Sequence, residues 1–176
     1  QPTLDVLNAM GTDVSALGDH ELDKGLDDLT GRILPAASFP YLSANVTGTA
    51  LDSEGDGDGT VVKDVDGVRV GIIGVITDAL PSSVAPAAAT ASARAAELKR
   101  TGAADVVVVL AHADAAEMAP RLTGDVDAVL GGYDRIAHPA AGGAAVATTT
   151  DGQDIAVVQA DHDGRGLADV SLAYNA

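Results

Sequence analysis

The chain contains no cysteine and no tryptophan, a single phenylalanine, three tyrosines and two methionines. Without cysteine there is neither a disulfide framework nor a thiolate metal site. With aromatics at 2% of the residues, the core must be filled by Ala, Val, Leu and Ile, packed tightly and with little volume per residue. Scarce methionine leaves few side chains that adapt to gaps. Cations are scarce as well: ten Lys and Arg stand against 26 Asp and Glu, a formal net charge of -16. That balance argues against nucleic acid, whose phosphates need basic patches, and against an anionic membrane surface. A phosphorylated small molecule stays open, because bound metal cations can invert a local field. No apolar run reaches the length of a membrane-spanning helix. The N-terminus also lacks the basic-then-apolar pattern of a leader. The expectation is a chain that starts partway through a longer protein, with a secreted or cell-surface location and no insertion into the membrane.

What is present is enough for one domain, residues 1–176, with 47% apolar residues. Leu4, Val6, Leu7 and Met10 share a helical face that stops at Gly11. Residues 13–17 form a strand candidate, 22–29 a helix, and 39–46 a second strand between prolines. An acidic loop follows, with oxygen ligands alternating at Asp52, Glu54, Asp56 and Asp58. The 52–58 spacing is open to two readings: a calcium site outside the EF-hand pattern, or a solvated insertion. Asp66-Gly67 predicts a tight hairpin between strands 61–65 and 68–76. The second of these strands is apolar on both faces, as in a central strand covered by helices on both sides. Its Gly71 and Gly74 read as close-packing positions for a helix, not as a phosphate loop. An alanine-rich helix is expected over 86–100, buried strands over 105–111 and 126–130, and a short helix over 115–122. Segments 144–149, 155–159 and 167–172 alternate, as antiparallel strands do. The order implies a layered α/β fold with mixed sheets.

Three loops carry chemistry, and each follows a strand: 18–21, 111–114 and 131–135. Sites in α/β sheets gather at the C-terminal ends of strands. Imidazoles and carboxylates there suit a divalent ion such as Mn, Zn or Fe. Asp19 has a second reading as the N-cap of the helix that follows it, and His112 a second reading as a polar residue that closes a buried strand. His138 and His162 sit in loop-like contexts.

Six blocks, in order along the chain, resemble one family. Residues 7–13 and 18–25, LNAMGTD and GDHELDKG, are similar to that family's "LNALGYDAVTLGNHEFDYG". Residues 39–46, FPYLSANV, are similar to "FPVLSANV", and 65–74, VDGVRVGIIG, to "VNGVKVGIIG". Residues 102–112, GAADVVVVLAH, are similar to "GADVVIVLSH"; residues 126–132, VDAVLGG, match the strand before "GGHSH". Residues 157–160 with 164–167 resemble the closing "VVQAGxxGxxLG". The pattern is that of the 5'-nucleotidase branch of the calcineurin-like metallophosphoesterases.

The resemblance implies a metallophosphoesterase-like sandwich, of which this chain carries the second half of the catalytic domain. It implies hydrolysis of nucleotide phosphoesters at a two-metal centre. His20 then takes the place of the histidine that stabilises the transition state or protonates the leaving group. Asp19 stands where the family has a metal-binding asparagine, and His112 matches a further metal ligand. The last two family ligands fall on Tyr133 and Arg135, with Asp134 and His138 close by as substitutes. The family's first ligands lie upstream of Gln1. The expectation is therefore an impaired hydrolase, or one that needs another chain to supply the missing strands. The rival expectation is a non-catalytic cell-surface domain that keeps the scaffold for binding or assembly.

Overall fold

The computed structural model describes residues 2–76, 84–133, 145–161 and 165–175. Among these residues, six strands form one mixed sheet: β3 (Thr60–Val65), β4 (Val68–Ile76), β5 (Val106–His112), β6 (Ala128–Gly131), β7 (Val146–Thr148) and β8 (Asp154–Gln159). Their spatial order is β3-β4-β5-β6-β8-β7, and two short strands, β1 (Ser15–Ala16) and β2 (Tyr41–Leu42), pair in parallel as a separate layer. Within the large sheet β4, β5, β6 and β8 run parallel, while β3 and β7 lie antiparallel at the edges. The layered mixed α/β class expected from the sequence is the one observed.

Alternation along the strands divides the molecule into two cores. Ile73, Val75, Val107, Val109, Val129 and Val157 point to one face and are buried under α4 (Ala87–Arg100) and α5 (Ala115–Met118). On α4 the buried residues are Ala87, Ala91 and Ala95, one every four positions. Small side chains there let the helix axis come close to the sheet, which is how a core short of aromatics reaches native density. Gly71 belongs to this contact, since a Cβ on it would stand 2.9 Å from the Leu98 side chain and from that of Ala104.

The second core joins α1 (Pro2–Met10) to Leu17, Leu29, Ile33, Phe39, Tyr41, Leu51 and Ile76. It covers the C-terminal end of β4 on the face opposite α4. This corrects the expectation of helices on both sides: one cover is α4, and the other is the β1–β2 layer. The reason is an odd spacing. Gly71 and Gly74 lie three apart on a strand and so face opposite ways. Gly71 meets the helix, whereas Gly74 meets the Leu42 backbone and Cβ. Asn45 secures the same junction from full burial. Its Nδ2 donates to the carbonyls of Ile76 (2.8 Å) and Ala85 (3.0 Å), and its Oδ1 accepts from the Ile76 amide at 3.0 Å.

Other expectations need adjustment. The helix expected over 22–29 extends to residue 36 as α2 (Leu26–Asp28), a π-turn (Leu29–Ile33) and α3 (Leu34–Ala36). The strand expected over 39–46 is only Tyr41–Leu42, because the chain then turns to place Asn45. Residues 167–172 form no strand; Leu167 is 95% exposed, so its alternating apolar positions have nothing to pack on. β7 and β8 are antiparallel as expected, but β8 also pairs in parallel with β6. The hairpin holds as read, with Asp66 at φ 53° and Gly67 at φ 85°, the positive values that a tight β-turn of this kind requires.

The opposed glycines separate in a substitution test. Gly74→Ala drives a methyl into backbone that is itself hydrogen-bonded, and is expected to cost about 3 kcal/mol. Gly71→Ala meets no backbone closely but does meet the Leu98 side-chain end, which can give way, and the Ala104 Cβ, which is fixed, and is expected to cost about 2 kcal/mol. Urea unfolding of both variants checks this, and equal losses would mean that the Leu42 backbone yields freely.

Candidate functional site

The three strand-end loops meet. A cavity of about 420 Å³ is lined by Val14, Ser15, Ala16, Gly18, Asp19, His20, Glu21, Leu110, Ala111, His112, Leu130, Gly131 and Gly132. Parallel pairing places these residues side by side. β5 ends at His112 in register with Ile76 of β4, and Ala111 is in register with Gly131 of β6. The loop after β1 then lies across the ends of those strands.

Asp19 and His112 are in direct contact although 93 residues apart, with Asp19 Oδ1 and His112 Nε2 separated by 2.9 Å. The His112 side chain is 18% exposed and that of Asp19 40%. Asp19 makes no side-chain cap to the short helical turn His20–Leu22 that follows it, so its N-cap reading fails: the carboxylate is turned toward β5. The Tyr133 ring stands edge-on to the His112 imidazole, with centroids 5.2 Å apart at 87°. Gly18 lets the loop close. Its amide donates to Glu21 Oε2 at 3.0 Å, and a Cβ there would stand 2.8 Å from that oxygen and 3.3 Å from His112 Cε1 and Nδ1. The sequence did not single out Glu21 as a site residue or predict the ring contact of Tyr133; Glu21 was visible only as the third residue after Gly18.

His20 lines the same cavity but is open to solvent, with its side chain 82% exposed. Its Nδ1 lies 3.1 Å from Asp23 Oδ2. The hydrogen bond that it donates to Asp23, then the charges of Asp19 and Asp23, raise its pKa above the ordinary 6.5. A histidine held in its protonated form toward neutral pH has the character of an acid.

Asp134 and His138, the substitute ligands suggested by the sequence, lie outside the described residues, as do Arg135 and His162. Among the described residues, no three His, Asp or Glu side chains come together as ligands for an ion. A structural or catalytic zinc takes three or four protein ligands, so the described donors, Asp19 and His112, do not by themselves fit the metal centre that the resemblance implies. The acidic loop does not converge either. Asp52 accepts from the Gly48 and Thr49 amides, Asp56 accepts from Val62, and Asp58 pairs with Arg94 at 3.1 Å. These carboxylates close turns and tie the loop to α4; they do not share a centre.

No family model matches the chain. It is 31% identical over 159 residues to the cell wall protein Lmo0130 of Listeria monocytogenes, a match covering 74% of this chain and 20% of that protein. Over 40 residues it is 48% identical to a 5'-nucleotidase of Bos taurus, 23% of this chain and 7% of the bovine one. The 5'-nucleotidase precursor from Thermus thermophilus superimposes with a TM-score of 0.68 at 27% identity, covering 88% of this chain and 34% of its own. Over the matched residues the chain is similar to the 5'-nucleotidase branch of the metallophosphoesterases. That similarity is to nucleotide phosphoester hydrolases. It spans 20% of the length of Lmo0130 and 34% of the Thermus protein. No helix among the described residues is long and apolar enough to cross a membrane.

His20 offers a direct check of the site's electrostatics. Because its pKa is raised, the contact with Asp23 is fully present below the ordinary value of 6.5 and is lost as pH rises through the raised value. NMR titration of the imidazole should give a midpoint above 6.5 that falls in Asp23→Asn. An unchanged midpoint in that variant would remove Asp23 as the main cause.

Proposed function

We propose that this chain is a nucleotidase-type phosphoester hydrolase domain that holds only part of a catalytic centre and turns over phosphoesters poorly on its own. One observation carries the reading. The three strand-end loops converge on one cavity that brings Asp19, His20 and His112 together without a third metal donor among the described residues. In this reading the exposed, proton-retaining His20 meets the leaving group or the charge that develops on the phosphoryl group. Asp19 and His112 are the remnants of a ligand set. A divalent ion such as Mn, Zn or Fe would supply Lewis-acid chemistry once further donors completed the set. The similarity to a cell wall protein supports a secreted or surface location.

A second reading, a binding or assembly domain, draws on the sheet face opposite α4. Ile72, Val108, Ala128 and Ala156 align across four strands, and Leu110, Leu130 and Val158 align in the next row. All of these except Ala128 are only half-buried. A contiguous, partly exposed apolar face is a place for another polypeptide to pack. Strands supplied by another chain would cover it and bring further donors to the cavity.

The proposal is tested by an assay of the purified chain with AMP and with p-nitrophenyl phosphate, in Mn or Zn. The expected rate is at the buffer background. A kcat on the order of 10 s⁻¹, ordinary for an enzyme, that disappears in His20→Ala would show a complete centre and overturn the proposal.

A further inference from the structure

We propose that the Asp19–His112 hydrogen bond is a metal-independent cross-link between the two cores, occupying the position where the resemblance implies a shared cation. The join is read by stability, separately from activity. Asp19 follows β1, in the layer that carries the second core, and His112 ends β5, whose apolar residues build the first.

The geometry fixes the roles of the atoms. A carboxylate only accepts hydrogen bonds, so across the 2.9 Å contact His112 Nε2 is the donor and Asp19 Oδ1 the acceptor. A metal-binding imidazole nitrogen offers its lone pair and carries no proton. Nε2 therefore cannot do both at once. The other ring nitrogen faces Gly18, where a Cβ would stand 3.3 Å from Nδ1. Tyr133 covers the ring edge-on, and Glu21 Oε2 is held by the Gly18 amide at 3.0 Å. His112 Nε2, Asp19 Oδ1 and Glu21 Oε2 are thus each engaged with a protein partner. The substitution at residue 19 makes sense in these terms. Where the family pattern has asparagine, aspartate supplies a charged acceptor, and charge-assisted hydrogen bonds are roughly twice as strong as neutral ones.

The test is a double-mutant cycle on the full chain, read by thermal unfolding in chelator. Asp19→Ala and His112→Ala are each expected to lower Tm by about 2–4 °C, the shift typical of losing one such interaction in a domain of this size. The double variant should fall no further than the worse single one. Asp19→Asn, which keeps an acceptor, should recover more than half of the loss. Adding Zn or Mn should leave the wild-type Tm unchanged. Additive losses would overturn the cross-link. So would a metal-induced rise in wild-type Tm that is abolished by His112→Ala. If an alanine variant does not fold, long-range ¹H–¹⁵N spectra of the unmodified chain decide: a protonated Nε2 supports the proposal, and an unprotonated Nε2 overturns it.

Discussion

The structure depends on how closely β2 can approach β4. At Gly74 the absence of a side chain lets the Leu42 backbone lie directly on the large sheet. The contact is then locked by hydrogen bonds, Ala44 N to Gly74 O at 2.7 Å and Gly74 N to Gly59 O at 3.1 Å. Gly59 completes the junction at φ 68°, where a Cβ would collide with Ala44. With β2 seated, β1 is placed by its parallel pairing, and the loop after β1 comes to rest over the end of β5. The meeting of Asp19 with His112 is thus a consequence of backbone packing some distance away. Asn45 reinforces the arrangement by satisfying the last amide and carbonyl of β4, which would otherwise be buried without partners.

Much of this was legible in the chain itself. Runs of β-branched residues at 106–109 and 72–76 marked buried strands. The position of the three polar loops after strands predicted their convergence, because parallel strands present their C-terminal ends on one side. Strand order and the face each glycine serves were less visible. Gly71 and Gly74 look alike in sequence, and only their odd spacing, combined with knowledge of what covers each face, tells them apart. The short β2 was overestimated because Phe39 and Val46 are as apolar as the strand between them. They serve the second core from turns. Glu21 was missed for a related reason: its carboxylate bonds back to the Gly18 amide, a local contact with no signature beyond spacing. For the stretch 167–172, alternation was a poor guide, since a strand also needs an edge to join.

Charge brings the site and the scaffold together. Cations are few, and several are engaged at the end of the sheet opposite the cavity. Arg69 pairs with Asp105 at 2.6 Å, holding that carboxyl down at about 2, and Lys99 pairs with Asp127 at 2.9 Å. These pairs clip the N-terminal ends of β4, β5 and the approach to β6. At the other end the cavity lining includes two carboxylates and two histidines and no lysine or arginine. A phosphoryl group entering it would meet negative charge within a molecule that is already strongly acidic. Protonated His20 is the single positive countercharge that the described lining offers. Productive phosphate binding therefore needs positive charge that these residues do not supply, from an ion or from another polypeptide. The Asp19–His112 contact already engages Asp19 Oδ1 and His112 Nε2. In the proposed reading, closing the two cores together and holding a cation between them are competing uses of the same pair of side chains, and in this structure the pair is bonded to itself.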